Sequence, residues 1–161
     1  MYLEKINKRT TKKQLMENDF FGGNIQYASK KIRDDYDVAM KACKAWAGAF
    51  EYISNRLRDD RSLLLEALNS AKESRWNIIV QYASDRLRND KEIIKKSVEI
   101  NAFSFVCAPT AIQNDIPFII ELMDINPRVI GHVYKEIKDK VFEKLKDQIK
   151  DALEGIKNED N

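Results

Sequence analysis

Apolar residues recur along this chain in a pattern that restarts. Three, four and eight residues past Asp35 stand Val38, Ala39 and Cys43. The same offsets past Asp60 hold Leu63, Leu64 and Leu68. Past Asp90 they hold Ile93, Ile94 and Val98, and past Asp115 they hold Phe118, Ile119 and Met123. Residues at such offsets share one face of an α-helix. Each aspartate closes a related segment: Tyr27-Ala-Ser-Lys-Lys-Ile-Arg-Asp-Asp35, Tyr52-Ile-Ser-Asn-Arg-Leu-Arg-Asp-Asp60, Tyr82-Ala-Ser-Asp-Arg-Leu-Arg-Asn-Asp90 and a degraded Cys107-Ala-Pro-Thr-Ala-Ile-Gln-Asn-Asp115. The steps between them are 25, 30 and 25 residues. Ile25, Phe50, Val80 and Phe105 stand two residues before the leading position, and Phe21, Trp46 and Trp76 six before, a column broken by Asn101.

A period of this length predicts stacked helical units. Each unit reads as a short helix from the tyrosine to about the motif arginine, a turn, and a second helix. Asp35, Asp60, Asp90 and Asp115 have the chemistry of N-caps, since a carboxylate accepts the orphan N–H groups of the new helix. A single hairpin cannot cover its own apolar face, whereas stacked neighbours can. A weaker unit precedes these, with Tyr2 lying 25 residues before Tyr27 and Thr10 where Asp35 stands, after a one-residue slip at Ile6.

The C-terminal stretch has a different pattern. Ile137, Val141, Leu145, Ile149 and Leu153 recur every fourth residue, and Phe142, Ala152 and Ile156 widen the stripe. This predicts one long amphipathic helix after the breaks at Pro127 and Gly131. Its polar face is mixed in sign, which favours a cap on the stack over a membrane-surface helix. The expected architecture is therefore all-α: tandem helical-hairpin repeats of about 25 residues, stacked as a short α-solenoid and closed by a long C-terminal helix. Residues 1–26 form an N-terminal cap or degenerate repeat, 27–126 the repeats, and 127–161 the capping helix and a frayed tail, all within one domain.

Composition narrows the function classes. The 161 residues suit one domain, with 43% hydrophobic residues for a core and only 5 Gly and 3 Pro, too few for loop-rich β-structure. Lys+Arg number 28 against 26 Asp+Glu, a net charge of +2, which argues against a dedicated polyanion binder. The charged N-terminal residues and the lack of a long apolar run predict a soluble, cytoplasmic protein with no membrane partner. Two distant cysteines make no disulfide framework.

The run Tyr82-Ala-Ser-Asp-Arg-Leu-Arg-Asn-Asp-Lys-Glu92 resembles a bacterial and protist family of short tandem helical repeats known only as a domain of unknown function. The resemblance covers about Ile25 to Val106 and extends weakly to about Met123. It implies an all-α repeat structure and no particular activity. The chain departs from the pattern by five extra residues before Tyr82 and by the loss of Tyr and Arg in the fourth segment.

Candidate chemistry is sparse. His132 is the single histidine, so His-pair metal motifs are ruled out. Cys43 stands on the core face and Cys107 in the tyrosine column, positions that suit structural thiols. Gly22-Gly23 lacks the spacing of a phosphate loop and reads as a turn. Asp34-Asp35 and Asp59-Asp60 recur at helix starts, which favours capping over a cation site. Arg33, Arg58 and Arg88 form a column expected to make an inter-repeat ladder with Asp35, Asp60 and Asp90, or else a basic stripe for phosphate or acidic peptide. Lys72 and Arg75 stand in the expanded connection 69–75, a place where repeat proteins carry binding loops. Lys5, Lys8, Arg9, Lys12 and Lys13 form an N-terminal basic cluster.

No catalytic, cofactor-binding or metal-ligating set emerges. The expectation is a non-enzymatic repeat module that binds another protein, of inhibitor or effector type, through Lys72, Arg75, Arg33, Arg58 and Arg88. The alternative is weak nucleic-acid binding through the N-terminal cluster and the repeat arginines, which would fall steeply with salt.

Overall fold

The computed structural model of the chain describes residues 9–17, 22–71 and 78–159. Every regular element among them is helical. After α1 (Lys12–Glu17), the chain runs through five repeat units. Four of them contain a 3-10 helix, a four-residue α-helix and a ten-residue α-helix, and the fifth merges its two α-helices.

The 3-10 helices are η1 (Gly22–Tyr27), η2 (Ala47–Glu51), η3 (Ile79–Tyr82), η4 (Ala102–Cys107) and η5 (Pro127–His132). The short helices are α2 (Lys30–Arg33), α4 (Asn55–Arg58), α6 (Asp85–Arg88) and α8 (Thr110–Gln113). The ten-residue helices are α3 (Tyr36–Ala45), α5 (Arg61–Ser70), α7 (Lys91–Ile100) and α9 (Ile116–Ile125). The chain closes with α10 (Lys135–Glu159). Tyr27 and Tyr82 therefore end 3-10 helices, and Tyr52 sits just past one, rather than opening α-helices as the motif suggested.

Side-chain caps cut the chain into these pieces. Ser29, Ser54 and Ser84 adopt extended backbone and accept the N–H of Ile32, Leu57 and Leu87, starting the short helices. Asp35, Asp60, Asp90 and Asp115 do the same for Val38, Leu63, Ile93 and Phe118, as expected from the sequence. In the fifth unit Lys140 stands where the capping aspartate would be. With no carboxylate to turn the chain, the two helices run together as α10. Ile6, where the N-terminal pattern slips, lies outside the described residues; α1 starts at a reciprocal capping box in which Gln14 N–H donates to Thr11 Oγ1 at 3.3 Å and Thr11 N–H donates to Gln14 Oε1 at 2.8 Å.

The ten-residue helices pack in sequence, α3 on α5, α5 on α7, α7 on α9, and α9 on α10. The 3-10 helices form a second row, each against the next from η1 to η5. Between the rows lies one core. Its columns include Ile32, Leu57, Leu87 and Ile112 from the short helices, and Ala39, Leu64, Ile94 and Ile119 from the long ones. Ile25, Phe50, Val80 and Phe105 are fully buried and alternate in size along the stack, which lets successive units interdigitate.

α10 covers the end of this core only with its first half. Val141 is buried, and Ile137 and Leu145 pack against the core. A four-residue spacing overshoots the 3.6-residue turn, so the stripe rotates by about 40° at each step. By Ile149 and Leu153 it has left the core, and these are 61% and 56% exposed. No helix among the described residues is long and apolar enough to cross a membrane.

Candidate interaction face

The row of 3-10 helices presents the motif tyrosines. Tyr27 is 58% exposed, and Tyr52 and Tyr82 are half-buried. The Tyr52 hydroxyl lies close enough to Tyr27 and Tyr82 to interact with each electrostatically, so the three run along the stack as one column. Burial raises the hydroxyl pKa of Tyr52 and of Tyr82, and the Glu51 carboxylate beside both raises them further. Trp46 stacks on Tyr52, its ring centroid 6.2 Å away and 21° from parallel. Gly48 makes room for that ring: a Cβ there would lie 2.2 Å from Trp46 Cζ2. The column continues as Cys107 and His132, the latter meeting Phe103 edge-on with centroids 5.1 Å apart. His132 closes the 3-10 helix η5.

Arg33, Arg58 and Arg88 end the short helices that follow the tyrosine segments. The Arg33 carbonyl accepts the Ser54 N–H at 2.9 Å, and the Arg58 carbonyl accepts the Ser84 N–H at 3.2 Å. Arg88 acts electrostatically on Cys107 in the next unit. All three are half-buried, and their Nε atoms are buried without a hydrogen-bond partner. Arg58 Nη2 reaches back to Asn55 Oδ1, and Arg88 Nη2 to Asp85 Oδ1. Among the described residues, no carboxylate pairs with Arg33 or Arg58.

The inter-repeat ladder exists but uses other residues than the expected arginine column. Arg56 and Arg86, two positions earlier, bind the preceding unit's Asp34 and Asp59. Arg56 Nε lies 3.1 Å from Asp34 Oδ1, and Arg86 Nε 3.0 Å from Asp59 Oδ1. Ser54 and Ser84 hydroxyls donate to the same two carboxylates. These serine hydrogen bonds, with help from the arginines, hold both carboxyls below their ordinary range. A second ladder joins three of the four capping aspartates to a cation at or near the start of the helix one unit earlier: Lys12 to Asp35 at 2.9 Å, Arg61 to Asp90 at 3.2 Å, and Lys91 to Asp115 at 2.5 Å. Tyr36 holds the equivalent place in α3 and has no charge to offer.

The fourth unit changes the links. Asn89, Pro109 and Ala111 replace Asp, Ser and Arg, so the first ladder stops. Pro109 has no N–H to offer the Arg88 carbonyl. Instead, Lys95 binds Glu121 at 2.6 Å, and Asn126 Nδ2 donates to the Val98 carbonyl at 2.9 Å. Asn126 and Asn101 cap 3-10 helices, a role that the repeat spacing does not mark.

The remaining candidates are placed as follows. Lys72 and Arg75 lie outside the described residues, as do Lys5 and Lys8 of the basic cluster. Lys12 is engaged by Asp35 and Asp37. Cys43 is buried, and burial pushes its thiol up to about 12, with Glu66 adding to the shift. Half-burial raises Cys107 too, against the pull of Arg88. Among the described residues no group of three or more His, Cys, Asp or Glu is placed to hold a metal ion. Residues 74–113 match the family model of a domain of unknown function, DUF4116, a span that runs from just before η3 to the end of α8. No curated protein and no solved structure matches the chain.

Proposed function

We propose that this chain is a non-enzymatic helical-repeat module that binds another protein through its tyrosine–arginine face. The observation that carries the reading is the alignment of Tyr27, Tyr52 and Tyr82 along the row of 3-10 helices, with Arg33, Arg58 and Arg88 ending the short helices that follow them. Tyrosine, tryptophan and arginine are the residues that dominate protein interfaces, because they offer large contact area with few torsions and a polar end. The free thiols Cys43 and Cys107 fit a reducing compartment, so we read the module as cytoplasmic.

The test is affinity capture from source-cell lysate with and without nuclease, comparing the native chain with a Tyr27→Ala, Arg33→Gln variant of unchanged circular dichroism. A stoichiometric protein held by the native chain and lost by the variant supports the reading. Equal capture by both removes this face from the interface. Capture that disappears with nuclease treatment alone points to nucleic acid instead.

A further inference from the structure

The first four 3-10 helices carry a single ionised side chain, Glu51 at the end of η2. Its carboxylate is half-buried and meets the hydroxyls of Tyr52 and Tyr82. Two such donors leave part of its acceptor capacity open, since a carboxylate offers about four lone-pair sites. Among the described residues no Lys, Arg or His forms an ion pair with Glu51. Arg58 and Arg88 turn to Asn55 and Asp85 instead. A partly dehydrated carboxylate without a counter-charge gains from meeting a cation.

Aromatic rings flank this charge. Trp46 and Tyr52 lie 21° from parallel with centroids 6.2 Å apart. Tyr82 shares Glu51 with Tyr52, and exposed Tyr27 acts on Tyr52. The indole is seated on Gly48, where a Cβ would come within 2.2 Å of Trp46 Cζ2, so its place is set before a partner arrives. A pre-ordered ring loses less freedom on binding. Among the described residues, cation–π contacts form on Phe118 and not on these rings. Ring faces attract a cation within about 6 Å of the centroid. A guanidinium suits both features, because it is planar, stacks on aromatic faces and donates in its own plane to a carboxylate. An ammonium is a compact, strongly hydrated charge and gains less from a flat ring. Nucleic-acid bases stack on such rings too, but their phosphates would meet the Glu51 charge.

We propose that Glu51, with the rings of Trp46, Tyr27, Tyr52 and Tyr82, binds an arginine side chain of another protein. The guanidinium donates to the Glu51 carboxylate and lies against the rings. This inference rests on the tyrosine face being an interaction surface, and it adds the chemistry that the partner presents there.

Three end-blocked peptides, Gly-Ser-X-Ser-Gly with X arginine, citrulline or lysine, serve as probes for the full chain. Citrulline keeps the shape of arginine without its charge. NMR follows the Trp46 indole N–H, assigned by comparison with a Trp76→Phe chain. The arginine peptide should move this signal and bind about tenfold more tightly than the citrulline peptide, the ratio set by one charge-assisted contact. The lysine peptide should bind more weakly than the arginine peptide. Glu51→Gln, with unchanged circular dichroism, should lose the difference between arginine and citrulline, and Tyr27→Ala at its exposed site should weaken binding of the arginine peptide. Equal binding of arginine and citrulline by the native chain overturns the role of charge. Lysine binding as tightly as arginine overturns the guanidinium assignment. An oligothymidylate that moves the Trp46 signal and binds more tightly than the arginine peptide overturns the arginine reading in favour of single-stranded nucleic acid. A Trp46 signal unmoved by every probe overturns the inference, while the lysate capture above decides separately whether the face touches a protein.

Discussion

Arg56 grips Asp34 at two points, its Nε 3.1 Å from the carboxylate Oδ1 and its Nη2 2.8 Å from the backbone carbonyl. Arg86 repeats this geometry on Asp59, at 3.0 and 2.5 Å. The first pair spans 22 residues and the second 27, because the expanded connection lies between α5 and η3. The same junction forms across the insertion as before it, so the extra residues leave this link between units intact. Loops accept such length cheaply, since closure entropy grows only with the logarithm of length.

Ser54 and Ser84 each cap a short helix and donate to the preceding unit's aspartate. Ser54→Ala or Ser84→Ala should each lower unfolding free energy by about 1 kcal/mol, the cost of a lost cap. Urea denaturation measures it through a lower midpoint at constant slope. Arg56→Ala should cost less, about 0–1 kcal/mol, because its guanidinium is exposed. A larger effect for Arg56→Ala than for Ser54→Ala would contradict this order.

Asp34 and Asp59 titrate below the ordinary aspartate value of 3.8. A carboxyl lowered by folding contributes stability that is complete above its unfolded pKa and is lost as pH falls through its folded one. The ladder should therefore hold from neutral pH down to about 4 and weaken below that. NMR titration of the aspartate carboxyl carbons should place residues 34 and 59 below the ordinary aspartate value of 3.8.

Gly48 lies under the Trp46 ring. Gly48→Ala should push the indole off Tyr52, since the new Cβ would overlap three ring atoms at 2.2 to 2.6 Å. Trp46 emission, recorded with Trp76 replaced by Phe, should shift to longer wavelength. The stability loss should stay within about 1–3 kcal/mol, as for other overpacked sites. An unmoved spectrum would show that the backbone yields instead of the ring.

The two thiols should separate in a labelling experiment with a thiol-specific disulfide reagent. Cys43, buried and held protonated, should react only at the rate of global unfolding. Half-buried Cys107 should react faster under native conditions. Cys107→Ser isolates Cys43 and fixes the assignment.

The amino-acid sequence determined the repeat, its core columns and its capping aspartates, because these depend on residues a few positions apart. Val38, Leu63, Ile93 and Phe118 are buried where the offsets placed them. Tertiary structure decided what depends on neighbours across units. The tyrosine segments became 3-10 helices packed in a row, a choice that local spacing does not encode. The arginines nearest the capping aspartates in the motif were not the ones that paired across units. Arg56 and Arg86 stand at the free start of their short helices and reach the preceding unit, while Arg58 and Arg88 fold back on Asn55 and Asp85. An ion pair forms where two side chains are brought within about 4 Å, and that distance is set by the stacking of one unit on the next.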